Sequence, residues 1–131
     1  MPAATPLTYP LFESVPAWLP FTPETGWGER MNLESYLIDH PASTYFVRVK
    51  WESMEGAGIH TGDIVILDRA RTAQSGDIII ASLDGEVTLK RLEKKGSHIR
   101  LMPENPKYTP IVVDGPCDIM GVVVGLIRKY H

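Results

Sequence analysis

Two residues of this chain have side chains suited to nucleophilic chemistry. Ser53 lies in KWESMEGAG, residues 50–58, and Lys90 lies in EVTLKRL, residues 86–92, 37 positions later. A serine hydroxyl is a weak nucleophile until a base takes its proton, and a neutral lysine amine is one such base. The amine stays neutral near physiological pH only when burial penalises the ammonium. Alternate residues of a strand share a face. Glu86, Thr88, Lys90 and Leu92 therefore fall on one side, and Val87, Leu89 and Arg91 on the other. If the first side is partly buried, Lys90 loses hydration, and the Thr88 hydroxyl is placed to hold its amine. Taken alone, each residue has a plainer reading, and the plainer one weighs more. A serine at a strand-to-loop junction usually bonds a nearby amide, and a lysine on a hairpin usually points into water.

The elements that must position these residues are legible as short β-branched and aromatic runs. From Thr44 onward they read TYFVRVK, DIVILD, DIIIASL, EVTLKRL, HIRLMP, PIVVD and IMGVVVGLI. Thr61-Gly62-Asp63, Ser75-Gly76-Asp77, Asp84-Gly85 and Lys95-Gly96 punctuate them. Asp84-Gly85 between two such runs is a two-residue hairpin signal. About seven strands make residues 44–131 an all-β domain. Residues 1–43 differ. Six of the 11 prolines fall within the first 23 residues, so this part reads as an extended arm. The arm also carries Leu7, Tyr9, Leu11, Phe12, Trp18, Leu19, Phe21 and Trp27, too many large apolar groups for a tail without a packing surface. Asn32 is placed to cap a short helix whose Leu33, Tyr36 and Leu37 share a face, with Pro41 as its stop.

Bulk properties narrow the function. The chain has 131 residues, 44% hydrophobic and 22% charged, values of an ordinary globular domain. A net charge of -3 argues against broad, sequence-blind binding of nucleic acid. Cys117 is the only cysteine, which excludes an internal disulfide and a cysteine-based zinc site and suits a reducing cytoplasm. The four histidines, His40, His60, His98 and His131, have no ligand spacing, so each reads as a surface histidine and no metal is expected. Cys117 itself reads as a small buried hydrophobe. No run approaches the roughly 20 apolar residues of a membrane helix, and MPAATPLTYPLF is not a signal peptide. KRLEKKGSHIR is basic but reads as a solvated hairpin end.

Together these motifs resemble the LexA-type self-cleaving serine peptidases (peptidase S24), most closely their UmuD-like branch. That family's order is a strand, Ser-Met, Gly-Ile-x-x-Gly-Asp, a second Gly-Asp, then Asp-Gly-Glu-x-Thr-x-Lys. This chain has Ser53-Met54, Gly58 to Asp63, Gly76-Asp77, and Asp84 to Lys90. The Ser-to-Lys separation agrees with the family. The likeness extends through YPLF, NLESYLIDHPASTYFV and LMPENPKYTPIVV, nearly the whole chain.

The resemblance implies a twisted all-β sheet domain of the LexA and signal-peptidase kind, with an extended N-terminal arm and one short helix. It implies Ser53 as nucleophile, Lys90 as general base, Thr88 as support for the amine, and the backbone amides of Glu52 and Ser53 as the oxyanion hole. Such donors are worth about 3 kcal/mol each in the transition state. The substrate would be the chain's own arm, and tethering would give it a high effective concentration. No metal or cofactor is implied. The implied partners are a second copy, the RecA-nucleoprotein filament and a UmuC-like Y-family DNA polymerase, in the cytoplasm, in the bacterial SOS response to DNA damage. No membrane and no sequence-specific DNA contact is implied, and residues 1–43 are too short and proline-rich for the helix-turn-helix of repressor relatives.

Two features depart from the family pattern. Trp51 stands two residues before the nucleophile, where the family commonly has glycine. The family cuts an Ala-Gly or Cys-Gly bond, and alignment on FTP puts Leu19-Pro20 there. Ala17-Trp18 and Thr25-Gly26 are shifted alternatives, while the one Ala-Gly, Ala57-Gly58, lies in the nucleophile loop. A second reading follows: a dimeric binding module that keeps the dyad and is cut atypically or not at all. A third is a peptidase acting in trans, as related signal peptidases do.

Overall fold

The computed structural model describes residues 7–12 and 29–131. The candidate cleavage residues Ala17, Trp18, Leu19 and Pro20, with the shifted pair Thr25-Gly26, lie outside the described residues. Contacts group the chain into two units, divided between Asp39 and His40.

Within the first unit, β1 (Tyr9–Leu11) pairs antiparallel with β2 (Glu29–Met31), with Tyr9 opposite Met31 and Leu11 opposite Glu29. The arm was expected to be extended; the pairing of two short extended pieces is new. Pro10 fits in β1 because a two-stranded ribbon leaves each strand one unpaired edge. Arg30 reinforces the ribbon by donating to the Thr8 hydroxyl at 2.9 Å and the Thr8 carbonyl at 2.7 Å. Helix α1 (Leu33–Leu37) follows, and the Asn32 side chain accepts from Ser35 N–H at its N-terminus, as expected. The helix ends earlier than Pro41 suggests: Ile38 is already extended, and Pro41 instead opens a 3-10 turn, Pro41–Ser43.

The second unit holds one seven-stranded sheet. Its strands are β3 (Thr44–Arg48), β4 (Ile64–Asp68), β5 (Ile78–Leu83), β6 (Glu86–Lys95), β7 (His98–Met102), β8 (Ile111–Val112) and β9 (Cys117–Ile127). Each of the seven runs read from the sequence became one of them. All pairings are antiparallel, in the order β3-β4-β9-β5-β6-β7-β8. The last strand in the chain thus inserts between β4 and β5 and joins the two halves. Asp84 and Gly85, both at positive φ, close the tight β5–β6 hairpin.

Apolar clusters cover both faces. Val49, Met54, Ile59, Val65, Leu67, Ile80 and Leu89 form one, and Ile79, Ala81, Leu92, Leu101 and Val122 the other. Neighbouring Ile79 and Ile80 serve opposite faces, which is why β5 reads as an unbroken apolar run rather than an alternating one. Cys117 is half-buried beside the second cluster. Burial, and then Asp118, pushes its thiol pKa up, which lowers its thiolate fraction.

Four ion pairs organise the charges of this unit. Glu93 takes Arg100 at 2.6 Å and Lys95 at 3.9 Å, so the basic hairpin carries its own counter-charge. His40 is exposed, as its reading as a surface histidine expects, and its Nδ1 bonds the buried Asp68 at 2.7 Å. Burial raises the Asp68 pKa, but the hydrogen bond from His40 and those from the Ala70 and Arg71 amides outweigh it, and the net shift is downward. Arg128, just beyond β9, reaches back to Asp63 at 2.5 Å and to the Gly58 carbonyl at 2.8 Å. The Arg128 hydrogen bond holds the Asp63 carboxyl at about 2, below its ordinary 3.8. A lowered carboxylate pKa stabilises the fold above 3.8, and this contribution disappears as pH falls toward about 2. Thermal melts across that window should therefore be flatter with pH in Asp63→Asn than in the parent.

Candidate active site

Register decides where the site forms. β6 pairs with β5 over Glu86–Arg91 but with β7 only over Arg91–Lys95. Residues 86–90 thus overrun β7 and lack a strand on that side. The loop carrying Ser53 sits against this stretch. Its base is closed by two backbone bonds, Val49 N–H to Asp63 C=O at 2.8 Å and Gly62 N–H to Val49 C=O at 2.9 Å. Met54, fully buried, plugs the loop into the first apolar cluster. The 3-10 turn Glu55–Ala57 follows and ends at Gly58, whose φ of 81° is left-handed.

Ser53 and Lys90 meet. Lys90 Nζ lies 3.1 Å from Ser53 Oγ, and Ser53 Oγ donates to the Leu89 carbonyl at 3.0 Å. Lys90 Nζ also donates to the Thr88 hydroxyl. Ser53 is 2% exposed and Lys90 6%. The register explains the burial: Lys90 stands opposite Ile79 and Thr88 opposite Ala81, both members of the second apolar cluster. Burial pushes the Lys90 pKa below its usual 10.5. Among the described residues no carboxylate pairs with it to restore the charge. Lowering the pKa by burial without a counter-ion suits an amine to act as a base.

A cleft of about 750 Å³ opens onto this pair. Trp51, Val87, Tyr108 and Ile111 line it, and so do Glu52 and Ser53. Trp51 also packs on the first apolar cluster, so its indole forms a wall of the cleft. Among the described residues no acceptor takes the Glu52 or Ser53 N–H.

Other residues that shape the site were not anticipated. The β7–β8 connection clamps the nucleophile loop: Glu104 N–H donates to Ser53 C=O at 2.7 Å, and Glu104 C=O accepts from Gly56 N–H at 2.6 Å. A side chain at Gly56 would meet that carbonyl at 2.4 Å, so the close approach requires glycine. The Glu104 carboxylate bonds Arg91 Nε at 2.8 Å, next to the lysine on β6. These contacts join residues 13 to 51 positions apart, and no local pattern announces them. The Asn-Pro of PENP signals a turn and nothing more.

With this geometry in hand, comparison with known proteins defines the class. The Peptidase S24-like family matches residues 10–124. The chain belongs to that family of LexA-type peptidases. It is 42% identical to Protein SamA of Salmonella typhimurium over 93% of this chain and 86% of that protein. It is 41% identical to the LexA repressor of Clostridium kluyveri over 76% of this chain and 52% of that protein. The LexA repressor of Acidovorax sp. is 39% identical over 98% of this chain and 58% of the repressor. The chain thus spans little more than half the length of these repressors. No helix among the described residues is long and apolar enough to cross a membrane.

Proposed function

We propose that this chain is a UmuD-like serine endopeptidase whose substrate is its own arm, and that cleavage converts it into an accessory subunit of an error-prone translesion polymerase. The observation that carries the reading is the 3.1 Å contact between Ser53 Oγ and Lys90 Nζ in a desolvated setting. At rest Lys90 donates to Ser53, and the serine proton points to Leu89 C=O. Reaction begins when Lys90 loses a proton and the Ser53 hydroxyl turns toward it. Oγ attacks the scissile carbonyl carbon while its proton passes to Nζ. The amides of Glu52 and Ser53 hold the resulting oxyanion. Collapse breaks the C–N bond, and Lys90 returns the proton to the departing amine. Lys90 then takes a proton from the water that attacks the acyl-serine ester, and it returns that proton to Ser53 Oγ as the ester C–O bond breaks. Thr88 keeps the amine on the serine throughout, and the chemistry needs no metal or cofactor.

Residues 1–43 serve as the arm and 44–131 as the peptidase domain, with the bond cut within Ala17–Pro20. The protein works in the cytoplasm as a homodimer, stimulated by the RecA-nucleoprotein filament during the SOS response, and its cut form joins a UmuC-like polymerase. Incubating purified chain with RecA assembled on single-stranded DNA should accelerate loss of the arm. A rate unchanged by the filament would sink the regulatory part of the proposal. Trp51 in the cleft wall favours a second reading. In that reading the indole and the Leu19-Pro20 sequence block cutting, and the dimer binds its polymerase intact. Only uncut chain in DNA-damaged cells would support it.

A further inference from the structure

We infer that Asn105 is a positioning residue for the oxyanion site, fixing the direction of the Ser53 N–H; the inference rests on the peptidase reading above. Asn105 Nδ2 donates to the Glu52 carbonyl at 2.8 Å. That carbonyl and the Ser53 N–H belong to one peptide unit, which is planar and trans, so the two groups point in opposite directions. Holding the carbonyl on the Asn105 side turns the N–H away from Asn105, and no described residue accepts it. The next peptide unit is held the same way, by Glu104 N–H on Ser53 C=O at 2.7 Å. Consecutive residues of one connection therefore pin both carbonyls flanking the nucleophile.

Asn105 is itself oriented. Its Oδ1 accepts from Lys107 N–H at 3.0 Å, and its own carbonyl accepts from Tyr108 N–H at 3.1 Å. With the oxygen engaged in this turn, only the NH₂ end is left for Glu52. The connection is anchored in turn by Arg91, which bonds the Glu104 carboxylate at 2.8 Å and the Gly76 carbonyl at 2.6 Å. Arg91 follows Lys90 on β6. The strand that carries the base thus also braces the loop that aims the oxyanion donor, and the two halves of the machinery hold a common frame.

Asn105→Asp separates this role from the turn. The carboxylate still accepts from Lys107 N–H, but it places an acceptor against Glu52 C=O where a donor belongs. In the full-length chain we expect the plateau rate of arm cleavage to fall about 10- to 100-fold. The Ser53 amide peak in a ¹⁵N–¹H spectrum should move, and in Asn105→Ala, which adds no charge, the pH midpoint set by Lys90 should not change. Asn105→Ala, which removes the donor without adding repulsion, should show a smaller loss of the same kind, and it is read in the same way if the Asp variant does not fold. A parental rate with an unmoved Ser53 peak would overturn the inference. A loss of rate in Asn105→Ala accompanied by a shifted midpoint and an unmoved Ser53 peak would overturn it too, because it would mean that Asn105 acts on the base and not on the oxyanion donor. If the parent itself does not cleave, the peptidase reading fails, and the Ser53 peak alone decides whether Asn105 aims that amide.

Discussion

Lys90→Met should abolish cleavage and leave the domain at least as stable as the parent at neutral pH. Losing a general base costs roughly 10²- to 10⁴-fold in such reactions, and the 3.1 Å contact leaves Ser53 no second base among the described residues. We therefore expect a loss of at least about 10³-fold. Stability should move the other way. Lys90 is 6% exposed, its stem lies beside Ile79, and no carboxylate among the described residues compensates its charge. Methionine has a similar length and no charge to desolvate. Thr88 and Ser53 lose a donor, at about 1 kcal/mol each before water at the open cleft compensates.

The sign of the pH dependence provides a second check on the same substitution. The folded-state pKa of Lys90 lies below its ordinary 10.5. Between the two values the unfolded chain binds more protons, so stability rises with pH through that window. The neutral amine is also the active form, so the cleavage rate should climb about tenfold per pH unit below the Lys90 pKa. In Lys90→Met both slopes should vanish. Melting curves and cleavage rates taken over the same alkaline series would measure them. A parental chain whose rate falls with rising pH would remove Lys90 from the role of base.

Met54→Ala should be the most damaging apolar substitution near the site. Met54 is fully buried among Val49, Ile59, Val65, Leu67, Ile80 and Leu89. Truncating such a residue costs about 2–5 kcal/mol, a large share of the roughly 5–15 kcal/mol that holds a domain folded. The backbone is involved as well: the Met54 carbonyl accepts from Ala57 at 3.0 Å and Ile59 at 3.2 Å, which folds the loop behind the nucleophile. A cavity at Met54 therefore acts on Ser53 directly. Met54→Leu, close in volume, should cost less than about 1.5 kcal/mol. Urea titrations would give the stability difference. Cleavage measured well below the melting temperature should still be slower in the alanine variant. Parental rates there would show that Met54 serves the core alone.

The sheet was more legible in the sequence than the site. Seven β-branched runs separated by glycine turns are local signals, and each became one strand, as Asp84-Gly85 became the tight hairpin. The pairing of Tyr9–Leu11 with Glu29–Met31 was not legible, because three-residue strands separated by 17 residues carry no periodic signal. Pro41 misled about the helix end because the capping pattern stops with Leu37 and the chain is already extended at Ile38. Ser53 and Lys90 were legible as a pair only through the family motif. What brings them together is a register in which β6 overruns β7 by five residues. The contacts of Asn105 with Glu52 and of Arg128 with Asp63 span 53 and 65 positions and depend on that same topology. Trp51, the most conspicuous departure in the sequence, proves to be a wall of the cleft.

The central claim is that Ser53, activated by Lys90, cuts this chain. Intact-mass spectrometry of the purified protein after alkaline incubation tests it most directly, with Ser53→Ala treated in parallel. The account predicts that the parent yields two fragments whose masses sum to the chain plus one water, with the break in the arm, while the alanine variant stays whole. A parent that stays whole, or a Ser53→Ala chain that breaks at the same bond and rate, would contradict it.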